Sequence, residues 1–185
     1  MRALLAAVLL ASACTRTPRV PLPMIPVDLT QYAGTWYEIA RLPAFFQRDC
    51  VASRAEYTLL PSGKIGVTNA CRTRNGGERR ITGEAEVVDR TTNARLLVRF
   101  DTWFGFLMPS PSAGNYWILD VAADYQAALV ASPDRKHLWL LARSPEAGVE
   151  RYPGMVARAR EMGFPVEQLV RDDWSARQAA ATPHE

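Results

Sequence analysis

The residues of this chain with the widest chemical repertoire are three cysteines, Cys14, Cys50 and Cys71, and two histidines, His137 and His184. Their spacing supports little catalysis. Cys50 and Cys71 stand 21 residues apart, which matches neither a zinc site nor a redox dithiol, and two distant histidines do not complete a metal site. No serine lies in a Gly-x-Ser-x-Gly elbow, and His137, at the start of an expected strand, has no evident partner. The chain is therefore read as a protein with no catalytic residue, metal or cofactor. Its net charge of +3 is spread along the sequence, which gives no support to nucleic-acid binding. An apolar fraction of 48% against 22% charged residues excludes a disordered chain, and 185 residues suit one domain with a sizeable core.

The N-terminus stands apart from that domain. Met1-Arg2, the apolar run 3–11 and the small Ser12-Ala13 have the layout of a secretory signal, too short to span a bilayer. Small residues directly before Cys14 resemble a bacterial lipobox, with Ala11 where leucine is preferred. The resemblance implies removal of residues 1–13 as a signal peptide, lipidation of Cys14 (palmitate included) and, from Thr15 in place of an aspartate, sorting to the outer membrane. A plain signal peptide cut near Cys14 is the alternative. Pro18, Pro21, Pro23 and Pro26 make residues 14–27 an extended tether. With Cys14 so used, Cys50 and Cys71 remain as an even pair in an oxidising compartment, and a disulfide is expected.

The elements that must position these residues are strands. Gly34-Thr35-Trp36-Tyr37-Glu38-Ile39-Ala40-Arg41 reads as the first, with Trp36, Glu38 and Ala40 on one face and Tyr37, Ile39 and Arg41 on the other. Strands over 51–60, 64–74, 79–89, 94–101, 115–121, 126–132 and 137–144 follow, separated by turn signals such as Pro61-Ser62-Gly63 and Asn75-Gly76-Gly77. No βαβ pattern occurs. Eight short strands in a meander are what an antiparallel up-and-down barrel needs to close and abolish its edges. One helix is expected after them, with Pro153 in its first turn, Met155, Ala159 and Met162 along one stripe and Gly163 at its end, packed outside the sheet. Residues 164–170 are candidates for a ninth strand, the barrel domain covers 28–174, and the tail 175–185 is expected to be disordered.

Three motifs, Gly34-x-Trp36, Ala123-Asp124-Tyr125 and Arg143 at the end of the eighth strand, resemble the three signatures of the lipocalin family in order and at fitting distances. The segments GTWYEIAR, YWILDVAADYQAALV and LWLLARSP are similar to the family's bacterial outer-membrane lipoprotein branch and its apolipoprotein D-like relatives. Ala123 replaces a usual threonine. The resemblance implies that Trp36 and Arg143 meet at the closed end of the calyx as structural residues, through a guanidinium resting on an indole. The first strand then runs towards the mouth, and Cys50 and Cys71 lie near it, within a bulge of opposite one another.

Alternation anchored on Trp36, together with the pattern that the family resemblance implies, lines the cavity with Ala55, Val67, Val98, Phe100, Tyr116, Ile118 and Trp139, with Tyr57 and Tyr116 offering hydroxyls and Phe45 and Phe46 at the entrance. An apolar wall of this kind selects a small hydrophobic ligand, and the family implies a fatty acid or lysophospholipid. The apolar loop 103–109 and the hairpin arginines Arg72, Arg74, Arg79 and Arg80 make the rim a candidate membrane contact, beside the lipid anchor. Two other readings stand beside the carrier: an envelope lipoprotein with a filled barrel, and a lipocalin-fold enzyme, which a free thiol in the mature protein would indicate. The sequence assigns no oligomeric state.

Overall fold

The computed structural model describes residues 21–101 and 112–175. The signal segment, Cys14, the apolar loop 103–109 and the tail beyond Ser175 lie outside the described residues. A one-turn helix, α1 (Leu29–Tyr32), leads into β1 (Gly34–Arg41), and Asp28 caps it by accepting from Thr30 N at 2.8 Å. A 3₁₀ turn (Phe45–Gln47) precedes β2 (Cys50–Leu59), β3 (Ile65–Thr73), β4 (Glu78–Val87), β5 (Arg95–Phe100), β6 (Tyr116–Val121), β7 (Ala127–Ala131) and β8 (Leu138–Ala142). Each strand pairs antiparallel with the next, and β1 pairs with both β8 and β2, so the eight strands close into a barrel as expected. A long helix, α2 (Pro145–Glu161), packs outside, followed by a 3₁₀ turn (Val166–Gln168) and β9 (Val170–Arg171).

Two apolar clusters divide the molecule. The inner one fills the base of the barrel with Trp36, Tyr57, Ile65, Val67, Leu96, Ile118 and Val130. The outer one joins Leu119, Leu129, Leu138 and Leu140 of the sheet's outer face to Met155, Ala159, Met162 and Phe164. Alternation along the strands produces both, since successive side chains point to opposite faces.

The helix begins earlier than expected. Pro145, not Pro153, occupies its first turn, Ser144 caps it by accepting from Ala147 N at 3.1 Å, and Glu146 suits the positive end of the helix dipole. Pro153 sits inside the helix on its exposed side. The candidate ninth strand is also shorter than expected: only Val170 and Arg171 pair, and they pair with β1.

A bulge alters β1 itself. Between Glu38 and Ala40 the register against β8 slips, so Glu38 lies opposite Leu141 and Ala40 opposite Leu140. Ala40 therefore leaves the Trp36 face and joins the outer cluster under α2, whereas Arg41, paired with Trp139, turns inward. Strict alternation had put both on the opposite sides.

The β5–β6 seam has its own device. Only Arg95 and Leu96 pair with Trp117 and Tyr116, and beyond them the Asn115 side chain replaces a strand residue, accepting from Val98 N and donating to Val98 O, both at 2.8 Å. Gly114, at φ +77°, brings the chain so close that a Cβ would lie 2.6 Å from Leu96 O, and this turn sets Tyr116 on the inner wall.

Packing between α2 and β1 is equally close at Gly148, where a Cβ would stand 2.2 Å from Ile39 Cδ1. Gly148→Ala is expected to lower stability by a net ~1–2 kcal/mol in urea unfolding, since overpacking outweighs the gain in helix propensity. Ile39→Val in the same chain should restore part of the loss, and no loss in the single variant would contradict this packing.

Candidate functional site

At the closed end, Arg143 lies over the Trp36 ring with its guanidinium carbon 3.9 Å from the ring centroid. Its nitrogens donate to Thr35 O at 3.0 Å, Tyr125 O at 3.2 Å and Gln31 O, so one side chain ties together β1, the β6–β7 turn and α1. Gly34, at φ +96°, leaves the guanidinium its place, since a Cβ there would stand 3.3 Å from Nη1. The indole N–H of Trp36 donates to Tyr32 O at 2.8 Å. These contacts seal the base; none offers a reactive group.

Above the base the wall changes character. Val67, Val98 and Ile118 are buried in the inner cluster, whereas Ala55, Phe100, Tyr116 and Trp139 face the same interior and stay half-buried. Inward side chains that keep accessible surface line open space. These four lie one step mouthward of the buried Tyr57, Val98, Ile118 and Leu141. Tyr57 and Tyr116 meet there with Tyr32, which the sequence reading did not single out: Tyr116 Oη lies 2.7 Å from Tyr32 Oη and 2.9 Å from Tyr57 Oη. Burial pushes the Tyr57 phenol up to about 12 and holds Tyr32 and Tyr116 well above the usual range, so all three remain neutral.

Nearer the mouth lies a buried polar network that the sequence reading missed. Arg41 Nη1 donates to Glu38 Oε1 at 2.8 Å and to Asp172 Oδ1 at 2.5 Å, and Nη2 donates to Cys50 O at 3.0 Å. Gln47 Nε2 donates to Glu38 Oε2 at 2.9 Å, and Trp139 Nε1 donates to Gln47 Oε1 at 2.9 Å, which links the network to the cavity wall. Asp172 follows β9 and enters a gap where β1 and β2 diverge; there its Oδ2 accepts from Ser53 N at 2.6 Å. Trp174 completes the strap by donating to Glu38 O at 2.8 Å. One guanidinium cannot neutralise two buried carboxylates. Burial, followed by the nearby Glu38, pushes the Asp172 carboxyl up to about 9 against the pull of Arg41. One signal was available: Glu38, a carboxylate on the Trp36 face of a strand.

The rim is less uniform. Cys50 and Cys71 form a disulfide with Cα atoms 5.6 Å apart, beside a bulge between Cys50 and Ala52. Phe46 packs on His137 at 5.3 Å, and His137 stacks on Trp139 at 5.7 Å, so Phe46 is continuous with the cavity wall. Phe45 is 81% exposed and packs edge-on against Phe46. Among the hairpin arginines, Arg72 donates to Asp173 O at 2.6 Å, Arg79 to Phe46 O at 3.3 Å and Arg80 to Glu78 at 3.0 Å.

A closed eight-stranded meander with one outer helix and a Trp–Arg closure defines a calyx-type binding barrel. Residues 27–173 match the family model described as a lipocalin-like domain, and the chain belongs to the lipocalin family. It is 39% identical over 145 residues to temperature-induced lipocalin-1 of Arabidopsis thaliana, covering 77% of each chain. It is 35% identical over 144 residues to the outer membrane lipoprotein Blc of Escherichia coli (strain K12), again covering 77% of each. Among solved structures, insecticyanin of the tobacco hornworm Manduca sexta shares the fold, with a TM-score of 0.58, 22% identity, and 84% of this chain and 85% of that one covered. Fold and family together support binding of a hydrophobic ligand.

The Asp172 assignment carries a sign. Its folded pKa, about 9, lies above the ordinary carboxyl value of 3.8, so between those values the folded chain holds a proton that the unfolded chain releases. This contribution to stability is complete at low pH and is lost as pH rises through the folded value. The urea midpoint is therefore expected to be lower at about pH 9 than at about pH 6 on this account. Asp172→Asn, which cannot ionise, should flatten that slope; an unchanged slope would contradict the assignment.

Proposed function

We propose that this chain is a lipid-anchored lipocalin of the bacterial outer membrane that holds a fatty acid or lysophospholipid in its barrel, for lipid storage, transport or membrane maintenance. The observation that carries the reading is a ring of inward, half-buried and mainly apolar side chains, Ala55, Phe100, Tyr116 and Trp139, each one step mouthward of a buried one, Tyr57, Val98, Ile118 and Leu141. That is a greasy slot with one open end, and such slots select apolar ligands with few polar groups. The site consists of Ala55, Tyr57, Val67, Val98, Phe100, Tyr116, Ile118 and Trp139, with Phe46 continuing the wall through His137 and Phe45 exposed beyond it. Trp36 and Arg143 act as structure, not as ligand contacts.

The anchor rests on the lipobox-like segment ending at Cys14 and on likeness to a relative whose name is outer membrane lipoprotein. At the rim, the exposed Phe45 ring and the basic hairpin suit a surface of anionic headgroups, which attract basic residues by ~1 kcal/mol each. A binding role, not an enzymatic one, fits the pairing of Cys50 with Cys71, which takes up both described thiols. The filled-barrel reading has one observation in its favour, the close packing of Ile65, Val67, Leu96 and Ile118, but that packing is confined to the base.

Titration of the folded chain with lysophospholipid and, separately, with a long-chain fatty acid tests the proposal by tryptophan fluorescence. Saturable change near one ligand per chain is expected, reduced or lost in Trp139→Ala with the far-UV spectrum intact. A folded chain that responds to neither ligand overturns the carrier reading.

A further inference from the structure

The open part of the lumen ends inwardly in three hydroxyl groups whose hydrogen-bond count does not close. Tyr32, Tyr57 and Tyr116 supply three O–H hydrogens, and the two contacts at 2.7 and 2.9 Å use two of them. Among the described residues, none of the three hydroxyls makes a further hydrogen bond, so one hydrogen remains without an acceptor. Tyr57 donates to Tyr116, which leaves the surplus on Tyr32 or Tyr116. Tyr32 is 2% exposed and sealed at the base, whereas Tyr116 is half-buried on the open wall. Tyr116 therefore accepts from both neighbours and presents its own hydrogen to the lumen.

One rung closer to the mouth is the complementary defect. Asn69 lies opposite Ala55 in the β2–β3 ladder, on the same face as the Val67–Tyr57 rung, and so points to the same interior. Its Oδ1 is buried and, among the described residues, has no hydrogen-bond partner. A donor and an acceptor, both unmet among the described residues, thus lie on the same inner wall one rung apart through Tyr57, and leaving either unmet is costly. Positive charge is not on offer there. Arg143 lies over Trp36 and is occupied by three backbone carbonyls, and Arg41 already faces the two carboxylates Glu38 and Asp172.

We propose that Tyr116 and Asn69 form a hydroxyl-recognising subsite in the lumen, Tyr116 Oη–H donating to the ligand oxygen and Asn69 Oδ1 accepting its hydrogen, so that the preferred ligand is an apolar molecule with an uncharged alcohol at its inner end. The inference rests on the barrel being a ligand site and narrows the class: a carboxylate in this position would be desolvated without a counter-charge. A fatty acid or lysophospholipid meets the requirement when its chain carries a hydroxyl that reaches the tyrosines, with its charged group left at the rim.

Two probes separate the subsite from the barrel as a whole: dodecan-1-ol, which can both donate and accept, and 1-methoxydodecane, which can only accept. In calorimetric titration of the full chain, dodecan-1-ol is expected to bind about tenfold more tightly. Tyr116→Phe should bring the ratio of the two affinities close to one. Asn69→Val should do the same, and provides the test if Tyr116→Phe does not fold. Equal binding of both probes to the native chain, or a preference that survives both variants, overturns the subsite while leaving the barrel reading in place. No binding of either probe overturns both.

Discussion

The closed end of this eight-stranded barrel is fastened by the contact between the Arg143 guanidinium and the Trp36 indole. The ring attracts the cation by ~0.5–2 kcal/mol, and more when the pair is sheltered from water. Energy is the smaller part of its role. By donating to carbonyls of α1, β1 and the β6–β7 turn, Arg143 fixes the ends of three segments that the strand ladders alone leave loose. With the base so fixed, Trp36 sets the inward phase of β1, and through β1 the phase of the neighbouring strands, because a shift of one residue would turn every side chain to the wrong face.

Closure at the mouth is achieved differently. There β1 and β2 separate, and the C-terminal strap fills the gap: β9 pairs with β1, Asp173 N donates to Val51 O at 2.7 Å, and Asp172 joins Arg41 to Ser53 N. The disulfide holds β2 to β3 at the same level. One end of the barrel is therefore fastened by a stacked cation and the other by a buried, proton-holding carboxylate pair. Between them lies a stretch of inner wall where the inward side chains of Ala55, Phe100, Tyr116 and Trp139 keep accessible surface.

Much of this was legible in the sequence. Alternation and turn residues identified eight strands, and the inward phase set by Trp36, read together with the family resemblance, placed Ala55, Val67, Val98, Phe100, Tyr116, Ile118 and Trp139 on the inner wall. What escaped has physical causes. A bulge such as that between Glu38 and Ala40 leaves no mark in composition, so Arg41 could not be seen turning inward. The Glu38–Arg41–Asp172 network joins residues 131 positions apart, a distance that no local pattern spans. Pro153 drew attention from the better helix start at Ser144-Pro145 because a proline on an exposed helix face is tolerated more readily than a general rule against internal proline suggests. The role of Tyr32 depends on α1 being folded back under the barrel, which only the tertiary structure reveals.

The central claim is that the space between the tyrosine trio and Trp139 receives an apolar ligand. Methyl-resolved NMR of the isotopically labelled chain, titrated with lysophospholipid, tests it most directly. The account predicts shifts concentrated on Ala55, Val67, Val98 and Ile118, with the outer-face methyls of Met155, Ala159 and Leu140 left in place. Shifts confined to the outer face or the rim, with the inner methyls unmoved at saturation, would contradict it.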